Sequence, residues 1–168
     1  MNVRRANAVG AAACAGLMAY ALYAQYGLGL EPCPLCIFQR VAVISLGVVF
    51  LLAALHPAGR IGRRVYAIAL GLIALAGSSV AGRHVWLTTL PPETVPACGP
   101  GLDFILDAFP LVDAVQMVFS GSGECAKVDW YFLGLSMPVW VLLALLALGT
   151  FGVLANWRPA TRSASSAQ

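Results

Sequence analysis

The run CPLCIFQRVAVISLGVVFLLAAL, residues 33–55, opens on two cysteines two residues apart, carries one cation at Arg40, and continues from Val41 to Leu55 without a charge. At about 1.5 Å rise per residue, roughly 20 apolar residues in a helix cross a hydrocarbon layer of roughly 30 Å, and the stretch from Pro34 to Leu55 is that long. Three more stretches match it, which gives expected helices at about 8–28, 34–55, 64–87 and 137–155. A chain of 168 residues that is 60% hydrophobic and only 10% charged cannot hide that surface inside one small globule. The expected fold is an all-α membrane protein, a four-transmembrane-helix bundle forming a single membrane domain over residues 1–168.

Local chemistry punctuates these helices. Pro57 stops the second after His56, Pro91 and Pro92 close the third, and Ser136 followed by Pro138 starts the fourth. Basic residues gather in three places: Arg4 and Arg5, then Arg60, Arg63 and Arg64, then Arg158 and Arg162. Short cytoplasmic loops carry such an excess, so residues 1–7, 56–63 and 156–168 are expected inside, with both termini cytoplasmic. The loops at about 29–33 and 88–135 then lie outside, and they hold all seven acidic residues of the chain. A cleavable signal peptide is the alternative for the N-terminus, with Arg4-Arg5 before an apolar run and Ala19-Tyr20-Ala21 as its end. Removing it would leave three helices and split the termini across the membrane, against the basic residues at the C-terminus.

Four of the five cysteines, Cys33, Cys36, Cys98 and Cys125, fall on the external side, and an even number in an oxidising compartment favours disulfides. Cys14, inside the first helix, is expected to be an inert buried thiol. Four cysteines allow three pairings. The two-residue spacing makes Cys33 with Cys36 the local choice, and Cys98 with Cys125 then follows. A zinc site of four cysteines usually shows two close pairs, whereas Cys98 and Cys125 lie far apart among Pro96, Gly99, Pro100, Gly101, Gly121 and Gly123, so no metal is expected. Those flanks leave each sulfur open to an incoming thiolate, which favours a redox pair over a static staple.

Cys36 falls in the first turn of the second helix, where the helix dipole and unsatisfied N–H groups favour a thiolate. Arg40 stands one turn on, on the same face, suited to that thiolate or to a polar ligand; snorkelling to the headgroups is its plain alternative. Arg83-His84-Val85-Trp86 ends the third helix near the same surface, either as an interfacial cluster or with His84 as a second donor to a carbonyl ligand. Between Phe104 and Phe119 an apolar run with Asp103, Asp107, Asp113 and Gln116 reads as a short interfacial helix broken at Pro110.

CPLCIFQR at 33–40, RHVWL at 83–87, Cys98, and GECAKVDWYFLGLSMPVW from position 123 together resemble the disulfide bond formation protein B family of bacterial inner-membrane thiol oxidases. The resemblance covers nearly the whole chain. It implies a thiol:quinone oxidoreductase that reoxidises a DsbA-like periplasmic thiol oxidase and passes the electrons to the membrane quinone pool, ubiquinone or menaquinone. It also implies redox-active pairs Cys33–Cys36 and Cys98–Cys125, with Cys98 meeting DsbA, Cys36 facing the quinone, Arg40 in the quinone site and His84 nearby. Besides DsbA and quinone, the expected partner is the lipid bilayer, and no nucleic acid. Gln39 differs from a member of the family that has an acidic residue there, beside the arginine. A vitamin K epoxide reductase-like enzyme, which places its loop cysteines before its CxxC, and a non-enzymatic membrane protein with two structural disulfides are the other readings.

Overall fold

A computed structural model of the protein describes residues 2–56, 58–91, 110, 123–126 and 130–157. Its elements, in chain order, are α1 (Val3–Tyr26), α2 (Pro34–Leu55), α3 (Arg60–Thr88), a single turn α4 (Gly123–Ala126), strands β1 (Tyr131–Phe132) and β2 (Leu135–Ser136), and α5 (Met137–Trp157). Helices α1, α2, α3 and α5 are each long and apolar enough to cross a membrane. Cys98 and the 104–119 segment lie outside the described residues.

Two helices start earlier than hydropathy predicts, α1 at Val3 instead of about residue 8 and α3 at Arg60 instead of about 64. Arginine and alanine are good helix formers, so the backbone helix continues past the edge of the apolar segment. At the other end α5 runs to Trp157 rather than 155. Helix α2 begins where its cysteine motif does: Cys33 is the N-cap, its sulfur accepts the Cys36 N–H at 3.4 Å, and Pro34 occupies the first helical position, where its missing N–H costs nothing.

Helix α3 packs most closely on α5, α1 on α2, and α2 on α3, whereas α1 and α5 touch only along a short seam. Close approach comes from small residues. Gly149 lies directly against Ala74, and a Cβ on Gly152 would sit 2.8 Å from both Leu70 and Phe50. Phe50, Leu46, Leu70 and Leu145 form the fully buried centre, and Cys14 is buried beside them. Only 22–33% of each apolar span is buried, so the remaining face of every helix requires lipid.

At the end of the bundle that carries Arg4, Arg5, Arg60, Arg63 and Arg64, the first and last helices are joined by two amides. Asn7 and Asn156, both buried, donate to each other at 3.0 and 2.9 Å. Each also donates one turn back, to the Val3 and Gly152 carbonyls. Both amide groups thereby use both N–H donors, which makes their burial tolerable. At the opposite end, within the stretch expected to be loop, β1 and β2 pair antiparallel with Tyr131 opposite Ser136 and Phe132 opposite Leu135. The turn needs two residues with positive φ, supplied by Leu133 at 50° and Gly134 at 76°.

Candidate functional site

The start of α2, the end of α3, the turn α4 and the hairpin before α5 converge at one end of the bundle, and three cysteines meet there. Cys33 Sγ is 3.0 Å from Cys36 Sγ and 3.8 Å from His84 Nε2. It also hydrogen-bonds the thiol of Cys125, which α4 brings in as a fully buried side chain packed among Leu35, Val80 and Leu87. These contacts hold the Cys33 thiol well above the ordinary thiol range: the hydrogen bonds to Cys125 and Cys36 need the proton, and burial disfavours the anion. Cys33, Cys36 and Cys125 are thiols in this structure.

His84 is buried, while its neighbour Arg83 turns outward and lies over the half-exposed Trp86 ring at 4.1 Å. The RHVW sequence is thus divided between an inner face and an interfacial one. His84 Nε2 lies 3.1 Å from the Cys125 carbonyl oxygen, and Nδ1 lies 2.9 Å from Gln39 Nε2. Cys33, Cys36 and His84 bring three potential metal ligands within 4.8 Å of one another. A proton on Nε2, pointed at a carbonyl, makes His84 a hydrogen-bond donor there instead of a ligand.

Arg40 turns onto α1. Its Nη1 donates to Gln25 Oε1 and its Nη2 to the Ala21 carbonyl at 3.1 Å, so α1 fixes the guanidinium in place. Beside it opens a cavity of about 340 Å³ between α1, α2 and α5. Glu31, Cys36, Gln39, Arg40 and His84 are among its polar lining, while Leu17, Met18, Val141 and Ala144 are among the apolar residues on its other sides. Its rim is aromatic. Tyr20 meets Trp130 edge-on at 6.1 Å, Trp130 stacks on Phe132 at 5.9 Å, and Trp140 Nε1 donates to the Phe132 carbonyl at 3.1 Å.

Cys33, Cys36, Cys125, Arg40 and His84 are therefore brought together at one place. Gln25 and the His84-directed role of Gln39 escaped sequence reading, although each is a polar side chain in an apolar span, where such residues are seldom without purpose. The cavity also fits the group that the resemblance implies. Its volume lies in the range of small-molecule sites, it is mainly apolar with few convergent polar groups, and it exposes one sulfur and one fixed cation to a flat, carbonyl-bearing ring.

Comparison with known proteins agrees with this architecture. The family profile described as disulfide bond formation protein DsbB matches residues 3–155. The disulfide bond formation protein B of Methylococcus capsulatus is 56% identical over 144 residues, 86% of this chain and 88% of the relative. That of Nitrosococcus oceani is 51% identical over 158 residues, 94% of this chain and 92% of the relative. With four membrane-length helices and this match over almost its full length, the chain belongs to the disulfide bond formation protein DsbB family.

Proposed function

We propose that this protein is a thiol:quinone oxidoreductase of the bacterial inner membrane that reoxidises a DsbA-like periplasmic dithiol protein and passes two electrons to ubiquinone or menaquinone. Both termini are cytoplasmic in this reading, as the arginine clusters argue. One observation carries the proposal: Cys33 touches Cys36 on one side and Cys125 on the other, and Cys36 borders a cavity that also contains Arg40. A structural staple has no need of a sulfur between two others.

A thiolate of the partner attacks Cys98 of the Cys98–Cys125 disulfide, joins itself to Cys98 and releases Cys125 with the electron pair. Cys125 attacks Cys33, the Cys33–Cys125 bond forms, and Cys36 leaves as a thiolate. The partner's second thiolate then displaces Cys98 and closes the partner's disulfide. Cys98 in turn attacks Cys125 and frees Cys33, so the Cys33–Cys36 dithiol holds both electrons. Bound quinone supplies an acceptor for two electrons and two protons. Arg40, held by Gln25 and Ala21, presents a fixed cation to a ligand carbonyl in the cavity, and His84 borders the same space. The aromatic rim and apolar walls exclude water around the exposed sulfur.

The test combines purified protein, a water-soluble quinone analogue and reduced DsbA, with quinone absorbance as the readout. Turnover is expected, and Cys33→Ser and Cys98→Ser should each abolish it while trapping different mixed disulfides. Absence of quinone reduction would refute the reading.

A further inference from the structure

We propose that Gln39 is a positioning residue for exchange between the two cysteine pairs: by fixing the tautomer of His84 it keeps a donor on the Cys125 carbonyl and so seats Cys125 against Cys33. The proposal rests on the exchange reading above and deepens it.

The geometry leaves His84 little choice. A carbonyl oxygen only accepts, so the 3.1 Å contact with Cys125 requires a proton on Nε2. A carboxamide nitrogen only donates, so the 2.9 Å contact with Gln39 requires a bare Nδ1. Together they select the neutral ring protonated on Nε2. With Cys36 a neutral thiol, as it is in this structure, turning the Gln39 amide over would put its oxygen on Nδ1 and demand a second ring proton with no anion beside the ring to balance it. No carboxylate on the described residues touches the ring. The titratable groups facing it are Cys33 and Cys36 from α2 and Cys125 from α4, and Arg40, Glu31 and Tyr20 border the adjoining cavity. Arg83, next to it on α3, points away over Trp86.

The consequence concerns α4. Its four residues form one helical turn, too short to hold itself in place. Cys125 is packed among Leu35, Val80 and Leu87, and its polar contacts include the thiol contact with Cys33 and the carbonyl contact with His84. If Nε2 loses its proton, ring and carbonyl present lone pairs to each other, and the sulfur loses one of the contacts that aim it at Cys33. Gln39 therefore acts at a distance on the step that joins Cys125 to Cys33.

The test uses the full chain in detergent with Cys36→Ser and Cys98→Ser, which leaves Cys33 and Cys125 as the reacting thiols at this end. Glutathione disulfide is the oxidant. One thiolate displaces glutathione to form a mixed disulfide, and the other displaces the second glutathione, leaving a Cys33–Cys125 bond whose rate is read by alkylation and peptide mapping. Added Gln39→Leu should slow closure about tenfold, the worth of one buried hydrogen bond. Added Gln39→Glu should close at nearly the parental rate at acidic pH, because its carboxylate accepts from Nδ1–H and the imidazolium keeps Nε2–H. Relative to the parent at each pH, its rate should then fall as the ring loses a proton, and this profile within one folded variant separates positioning from misfolding. Nitrogen shifts of His84 should report Nε2–H in the parent and Nδ1–H in Gln39→Leu. Parental closure rates in Gln39→Leu, or a Gln39→Glu profile that follows the parent, would overturn the proposal. Failure of the parent itself to form the Cys33–Cys125 bond would instead overturn the exchange reading.

Discussion

Arg40→Ala should raise the quinone concentration needed for half-maximal turnover far more than it raises the need for reduced DsbA. The guanidinium spends one nitrogen on Gln25 and another on the Ala21 carbonyl, both on α1, and the same side chain forms part of the cavity wall. A hydrogen bond from a charged group contributes about 1.5–3 kcal/mol. Because each 1.4 kcal/mol is tenfold, removing it should raise the apparent quinone KM roughly 10- to 100-fold. Gln25→Leu keeps the charge but frees one end of it, and should cost about 1 kcal/mol, roughly fivefold. If Gln25 acts only through Arg40, the double variant should be no worse than Arg40→Ala alone. The assay varies a soluble quinone analogue at saturating reduced DsbA, then reverses the roles. An unchanged quinone KM in Arg40→Ala, or equal effects on both substrates, would refute the assignment of Arg40 to the cavity. Additive losses would refute the proposed linkage through Gln25.

Asn7→Leu and Asn156→Leu should each destabilise the detergent-solubilised protein by about 1–3 kcal/mol, because each orphans a buried amide, while the double variant should lose less than the sum; thermal unfolding reads this directly. Gly149→Val should lower the melting temperature, since even a Cβ at this position meets Ala74, and overpacking of this kind costs about 1–3 kcal/mol. Cys14→Ser should leave quinone reduction intact, because Cys14 is packed in the bundle core away from the reacting sulfurs. In the reduced protein the Cys33 proton is held above its ordinary range by Cys125 and Cys36. Its contribution to stability is therefore full below about pH 8.5, the ordinary thiol value, and declines as pH rises further. Melting of reduced protein between pH 7 and 10 should show that decline, and Cys33→Ser should lessen it.

Much of this fold was legible because a membrane imposes one rule: an apolar run of about 20 residues forms a helix that satisfies its own backbone. The start of α2 was legible to the residue, since Cys33, Pro34 and the apolar run agree. The starts of α1 and α3 were not, because hydropathy stops at a charge and a helix of Arg and Ala does not. The β1–β2 turn was hidden for a different reason. It places Leu133, a residue with no preference for it, at positive φ. Within the site, the CxxC and Arg40 stood out through local spacing. The anchoring of Arg40 by Gln25 and of His84 by Gln39 depends on helices meeting, and a single sequence records the polar residues without their partners. His84 shows the difference most clearly: its place in the sequence left it between an interfacial residue and a ligand donor, and only the structure shows its two ring nitrogens facing Gln39 and the Cys125 carbonyl.

In the proposed relay, Cys33 is the junction through which electrons pass from one cysteine pair to the other. Mixing oxidised, quinone-free protein with reduced DsbA, quenching with acid, alkylating free thiols and mapping disulfides by mass spectrometry tests it directly. A Cys33–Cys125 linkage with Cys36 alkylated and DsbA attached at Cys98 is the expected result. A linkage of Cys36 to Cys125, or persistence of Cys33–Cys36 while Cys125 is alkylated, would contradict it.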